Sequence, residues 1–257
     1  MQRLHRYRAY LSYWLNAIDE HSLHAPFLFR FVTDVVRARP VFDDKVEQLR
    51  TRLLHDDREI EIRDLGSGAH SYPAVRRISA VARRSLTPGH FSSLYQRMIE
   101  HYRCRTIVEL GTSLGVNTLY LARAAGTSVY TFEGAPSLAG LAREHFDEAR
   151  QQNICLIEGD LDITLPEFVK REIKADWVLI DANHTEVATV RYFNLLLKIL
   201  HDDSIVVVDD IHQSRGMESA WRQLQGHNRV RSTADLYRCG IAFFSPLLNK
   251  QHVVLRM

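Results

Sequence analysis

The chain has 257 residues, 46% apolar and 25% charged, and its 33 basic and 31 acidic side chains leave a formal charge of +2. That composition suits one large domain, or one domain with an extension, and excludes an overall basic nucleic-acid binder. No apolar run approaches the ~18 residues of a membrane span, the arginine-bearing start MQRLHRYRAYLSYW lacks the apolar core of a secretory signal, and Cys104, Cys155 and Cys239 form no CxxC pair. The expectation is a soluble cytoplasmic protein with reduced thiols, no zinc knuckle and no membrane association.

The first hundred residues read as a helical N-terminal extension (1–100), placed before a main domain over 101–257. Leu4, Tyr7, Leu11, Trp14, Leu15 and Ile18 recur at helical spacing and predict an amphipathic helix packed on the main domain. Further helices are expected from Pro26 to Arg39, stopped by Pro40, and from Asp44 to Leu54. Ile62-Arg-Asp64-Leu-Gly66-Ser-Gly68 imitates a glycine-rich ligand loop, but no acid-tipped strand follows it. It is assigned to a loop outside the main sheet that could fold over a ligand. An arginine-rich helix is expected over Val75–Leu86. The stretch Arg63–Arg105 carries eight arginines against Asp64 and Glu100. With no aromatic interleaving, it reads as a solvated face, and a nucleic-acid partner is disfavoured.

From residue 100 a rhythm sets in. Apolar β-rich runs begin near Ile107, Val129, Ile154, Trp177 and Ile205, and helical patterns lie between them over Thr118–Ala125, Leu138–Arg150, Leu165–Ile173 and Glu186–Leu200. This alternation predicts βαβ units and a parallel sheet. After a helix near Met217–Gln225, the runs Val230–Leu236, Cys239–Phe244 and His252–Leu255 follow closely and suggest an antiparallel finish. The expected fold is α/β: a Rossmann-like, doubly wound, mostly parallel seven-stranded sheet with an antiparallel C-terminal strand.

The tips of these strands carry the chemistry. Ile107-Val-Glu-Leu-Gly-Thr-Ser-Leu-Gly-Val-Asn117 is a strand, a glycine turn and a helix start, with Gly111 and Gly115 able to approach a ligand closely. Ser113 stands where a dinucleotide fingerprint has its middle glycine, and Glu109 would repel phosphates but suit an ammonium group. The second strand ends at Glu133-Gly134, where a carboxylate would hold ribose hydroxyls. The third ends at Gly159-Asp160, the fourth at Asp181-Ala-Asn-His184, and the fifth at Asp209-Asp210-Ile-His212. A lone acidic tip is usually a helix cap, but five in succession point to a ligand site beyond the carboxyl ends of the strands.

Taken as a set, VELGTSLGVNTLYLA, TFEGAPSLA, IEGD, DWVLIDANHT and IVVVDDIH resemble the successive motifs of class I S-adenosylmethionine-dependent methyltransferases. They are most similar to the small O-methyltransferases typified by catechol O-methyltransferase. EHSLHAPFLF near the start is also similar to a bacterial branch of that superfamily that says little about substrate. The resemblance covers about residues 100–245. It implies that Glu109, Gly111, Ser113 and Gly115 form the pocket for the methionine part of the cofactor, that Glu133 with Gly134 holds the ribose, that Gly159 and Asp160 border the adenine, and that Asp181 helps to align the cofactor. In metal-dependent members the positions matching Asp181, Asp209 and Asp210 carry the oxygen ligands of Mg²⁺. The catechol enzyme has Asn at the third of these and a catalytic lysine where His184 stands here, two departures from its mechanism.

His184 and His212 both follow strand tips and titrate in the range useful to a general base, with His184 favoured by position. The reading is therefore an S-adenosylmethionine-dependent methyltransferase acting on an oxygen of a small molecule, with Mg²⁺ and a homodimer left open. Three alternatives are an RNA-modifying O-methyltransferase, an NAD-dependent oxidoreductase and a non-catalytic cofactor-binding protein.

Overall fold

The computed structural model describes residues 2–62 and 74–256, so the imitation glycine loop, Gly66 and Gly68 included, lies outside the described residues. The chain forms two compact units: residues 1–38 with 171–257, and residues 39–170.

The first unit opens with α1 (Gln2–Asn16) and α2 (Pro26–Arg30), and α2 runs on as a π-helical turn over Phe31–Val36. The helix expected over 26–39 thus changes its winding midway and stops early. Leu28, Phe31, Val32 and Val35 are all buried along it, and Phe27 and Phe31 meet Phe243 edge-on at 4.9 and 5.3 Å. Helix α1 forms where expected, but its apolar stripe does not pack: Leu4, Tyr7, Leu11, Trp14 and Leu15 are all exposed, and Ala9 is the buried residue.

The second unit begins with α3 (Asp44–Leu54), capped by the Asp43 side chain accepting from the Val46 N–H. Strand β1 (Glu59–Ile62) pairs antiparallel with β2 (Ala74–Arg77), which leads directly into α4 (Ile78–Ser85). The helix expected over 75–86 therefore starts as a strand. Cross-strand pairing sets Arg77 opposite Glu59, an opposite-charge pair that favours the ladder. Helix α5 (Gly89–His101) then leads to β3 (Thr106–Leu110), α6 (Val116–Leu121), β4 (Ser128–Glu133), α7 (Pro136–Glu148), β5 (Ile154–Glu158) and α8 (Leu161–Val169). Strands β3, β4 and β5 are neighbours and all parallel. Their carboxyl ends share one edge, which is what places the glycine turn, Glu133 and Gly159 together.

The first unit resumes with β6 (Ala175–Ile180), α9 (Glu186–Leu196), β7 (Leu200–Asp209), α10 (Arg215–Gly226), β8 (Ser232–Asp235), β9 (Cys239–Phe243) and β10 (Gln251–Val254). Its strand order is β10-β8-β9-β7-β6. Strand β6 is parallel to β7, β9 is antiparallel to both β7 and β8, and β10 is parallel to β8. Besides the β1–β2 hairpin, the two units thus hold five and three strands, one more than the expected seven. The single reversed strand is β9, and the final strand β10 turns back to the parallel sense. Cys104 and Cys239 are buried, Cys155 is exposed, and all three are free thiols. Among the described residues no helix is long and apolar enough to cross a membrane.

Candidate active site

In the second unit, the site is built around the turn from β3 to α6. Gly111 and Gly115 take positive φ values of 104° and 77°, and Ser113 between them takes 49°. A Cβ at Gly115 would lie 2.7 Å from the Phe146 ring, so both backbone and packing require glycine there. The loop is tied to its neighbours through the backbone. Gly111 and Thr112 N–H donate to Phe132 O at 3.1 and 3.0 Å, and His145 Nδ1 donates to Leu114 O at 2.9 Å. Burial first of all holds the His145 pKa below its usual value, which keeps the ring neutral with its proton on Nδ1.

Glu133, at the tip of β4, is half-buried. Its Oε2 accepts the Ser113 N–H at 2.7 Å and its Oε1 accepts the Ala135 N–H at 2.9 Å. Two backbone donors thus fix the carboxylate. Gly159 at the tip of β5 has φ 129° and donates its N–H to Glu133 O at 2.9 Å. Asp160 caps α8 by accepting from the Asp162 N–H at 2.8 Å. Gly134 follows Glu133 directly and is half-buried.

Glu109 departs from its expected role. It is 1% exposed and accepts from Asn117 Nδ2 at 2.8 Å, Thr118 Oγ1 at 2.5 Å and Thr131 Oγ1 at 2.7 Å. Burial pushes its pKa up, and those three donors oppose the shift. The carboxylate expected to face an ammonium group braces the loop from within instead. Asn117, Thr118, Thr131 and His145 are supports that sequence reasoning missed. Only Asn117 and Thr118 carried a signal, as polar residues one and two positions past Val116, where the helix begins.

In the first unit, the tips of β6 and β7 carry the other candidates. Asp181 Oδ1 lies 3.4 Å from His184 Nε2. Asn183 and His184 both have positive φ, 62° and 29°, a strained backbone that the surroundings must hold in place. Asp209 is 1% exposed and accepts from Arg238 Nη2 at 2.7 Å. Asp210, at φ 53°, accepts from Gln213 Nε2 at 3.0 Å.

His212 is held on both sides. Its Nδ1 lies 3.1 Å from Glu218 Oε1, its Nε2 lies 2.8 Å from Asp235 Oδ2, and its ring stacks on Tyr237 at 5.4 Å. Burial alone would lower its pKa, but the bonds and charges of Asp235 and Glu218 outweigh burial and raise it. With both nitrogens donating to carboxylates, this ring is a clamp, and neither nitrogen is available to take a proton from an acceptor.

The Mg²⁺ set does not fit. Asp209 has its charge compensated by a guanidinium, and Asp210 and Asp181 are engaged by Gln213 and His184 respectively. Among the described residues, no group of three or more His, Cys, Asp or Glu is arranged to hold a metal ion.

Comparison with known proteins agrees with this geometry. Residues 108–211 match a family described as a methyltransferase domain. An 86-residue stretch is 29% identical to the protein-L-isoaspartate O-methyltransferase of Methanococcoides burtonii, covering 33% of this chain and 42% of that enzyme. Among solved structures, the O-methyltransferase of Bacillus cereus in complex with SAH superposes with a TM-score of 0.59 at 17% identity, over 84% of this chain and 96% of that one. The O-methyltransferase TomG of Streptomyces achromogenes, in complex with SAM, does so at 0.55 and 20%, over 63% and 82%. Cofactor-bound Rv0187 from MTB does so at 0.61 and 17%, over 85% and 95%. The chain thus shares the Rossmann-like fold of these methyltransferases, and residues 108–211 are the part that matches the methyltransferase domain family.

Proposed function

We propose that the protein transfers a methyl group from S-adenosylmethionine to an oxygen of a small molecule. The observation that carries this reading is Glu133, fixed by the Ser113 and Ala135 N–H groups at the tip of the strand after the glycine turn. A carboxylate so placed accepts from the two vicinal hydroxyls of a ribose. The turn itself needs glycine at 115, where a side chain would collide with the buried Phe146 ring and shift the loop. The Methanococcoides burtonii, Bacillus cereus and Streptomyces achromogenes proteins support the same reading, being O-methyltransferases, the last two in complex with SAH and SAM.

When bound, the cofactor supplies an electrophilic methyl group on a sulfonium. The chain's own residues hold and orient it: Gly111, Ser113 and Gly115 through the loop backbone, Glu133 and Gly134 at the ribose, and Gly159 and Asp160 at the base. Fixing two reactants in line can account for ~7–11 kcal/mol of a barrier. For the acceptor proton we assign the His184 ring, with Asp181 3.4 Å from its Nε2 to stabilise the imidazolium that forms. His212 is assigned to holding its loop. No magnesium step enters this reading, because the Asp209 charge is already met by Arg238.

Calorimetry with S-adenosylhomocysteine and with NAD tests the proposal on the wild-type chain. Binding of S-adenosylhomocysteine and not NAD is expected. Binding of NAD alone would overturn the proposal in favour of an oxidoreductase, and binding of S-adenosylhomocysteine without methylation of any hydroxyl or carboxyl acceptor would favour a binding protein.

A further inference from the structure

We propose that α1 is a surface-lying helix that docks the protein on an anionic lipid bilayer through the face it turns to solvent. The helix is mounted through Ala9 and Tyr13, with Tyr10, 53% exposed, at the edge of the contact. Tyr13 donates its hydroxyl to Leu255 O at 2.5 Å, Tyr10 and Tyr13 pack on the Tyr237 ring at 5.1 and 5.3 Å, and Ala9 is buried. Just beyond the helix, Ile18 bridges to Leu255. Held in this way, the helix keeps its apolar stripe out: Leu4 is 60% exposed, Tyr7 75%, Leu11 56%, Trp14 56% and Leu15 67%. Monomeric soluble proteins rarely leave such a contiguous stripe in water without a partner for it.

Charge and size together select the occupant. The sequence of α1 is QRLHRYRAYLSYWLN, with basic residues such as Arg6 and Arg8 and no acidic residue. Two copies meeting face to face through α1 would therefore bring like charges together, with no carboxylate on the helix to relieve them. The surface is also small: 15 residues make a helix about 22 Å long, whereas a stable protein interface engages about 20–30 residues a side. A bilayer interface asks for less. Leucines enter the boundary of the acyl chains, Trp and Tyr sit at headgroup level, and Arg8, one turn from Leu4 and Leu11 on the same side, meets anionic headgroups. The absence of a spanning run, which led the sequence reading away from membranes, does not bear on a helix that lies flat.

Trp14 makes the test direct, because Trp177 and Trp221 are both buried. The full chain is mixed with phosphatidylcholine vesicles, with and without phosphatidylglycerol, and followed by co-flotation and by quenching of tryptophan emission with brominated lipid. Expected are binding to the anionic vesicles, quenching of Trp14 and affinity at least about tenfold weaker without the anionic lipid. Leu11→Glu with Leu15→Glu should abolish binding, and Arg6→Gln with Arg8→Gln should weaken it while leaving the fold intact, since these side chains are exposed. Failure of the wild-type chain to bind either vesicle overturns the proposal. So does binding that survives Leu11→Glu with Leu15→Glu, or a concentration-dependent dimer that this pair disrupts in the absence of vesicle binding, which would assign the face to a second copy.

Discussion

Two sets of strand tips in this protein are alike in sequence and opposite in electrostatics. In the 39–170 unit, the carboxylates at the ends of β3 and β4 are held by neutral donors: Glu109 by one amide and two hydroxyls, Glu133 by two backbone N–H groups. In the other unit, the carboxylate at the end of β7 is met by the Arg238 guanidinium, and the nearby Asp235 and Glu218 are met by His212. Of the two held by neutral donors, Glu109 is buried and spent on bracing the loop, and Glu133, half-buried at its tip, is the one we assign to a hydroxyl donor. A carboxylate held by a cation is compensated before any ligand arrives. An acidic strand tip is thus not a role in itself, and its partner decides whether it serves a ligand or the fold.

The sharpest way to break that contrast is to remove a cation. Arg238→Gln should destabilise the protein by about 3–5 kcal/mol, because it leaves the buried Asp209 carboxylate without its counter-charge. Adding Asp209→Asn should restore a large part of that loss, as read from urea denaturation midpoints. If the single variant is as stable as wild type, the β7 tip is not charge-compensated by Arg238 and the contrast fails. Next in size is Gly115→Ala, which places a Cβ against Phe146 in a backbone with φ 77°. Left-handed strain of ~1–2 kcal/mol adds to an overpacking cost of ~1–3 kcal/mol, and S-adenosylhomocysteine binding should be lost with it. An unchanged melting temperature would show that the loop relaxes freely.

How far the sequence reveals this arrangement depends on how local each signal is. The five strand tips are legible because an apolar run ending in an acid is a contiguous pattern, and β3 to β5 begin and end within a few residues of the reading. Helix α5 was missed because it is buried around most of its circumference, Ser92, Ser93 and Gln96 included, so no polar face marks its period. Strand β7 starts at Leu200, five residues before the apolar run at Ile205. Its first turn, His201-Asp-Asp-Ser204, is polar and is held by Ser204 Oγ donating to Ala175 O at 2.7 Å. The fate of Asp209 was out of reach for another reason. Its partner lies 29 residues away in the β8–β9 turn, and only the antiparallel pairing of β9 with β7 brings that turn to the tip. The stripe on α1 was read correctly as a stripe and wrongly as a core face, because periodicity states that a helix has two faces without stating which one is covered.

On the neutral side of the contrast, Glu133→Ala should cost stability about 1–3 kcal/mol, since it orphans the Ser113 and Ala135 N–H groups, and should weaken S-adenosylhomocysteine about tenfold to a hundredfold. Calorimetry reads the change directly, and unaltered affinity would remove the ribose from Glu133.

The smallest expected effect is also the one that compares the two units on the same footing, through a histidine in each. His212 has a raised pKa in the folded chain, so folding strengthens its hold on a proton. Its contribution to stability is fully present below the unfolded value of about 6.5 and fades as pH climbs through the raised folded value. His145 has a lowered pKa, chiefly from burial. Its contribution is present above about 6.5 and is lost as pH falls through that value toward the lowered one. His212→Gln should therefore cost most in acid and progressively less as pH rises, whereas His145→Gln should show the reverse trend. Urea denaturation of both variants and the wild type between about pH 5 and 9 measures the two slopes. Slopes of equal sign would mean that the imidazolium clamped between Asp235 and Glu218 and the neutral ring on Leu114 O do not differ in charge, and the electrostatic opposition of the two sets of tips would be lost with them.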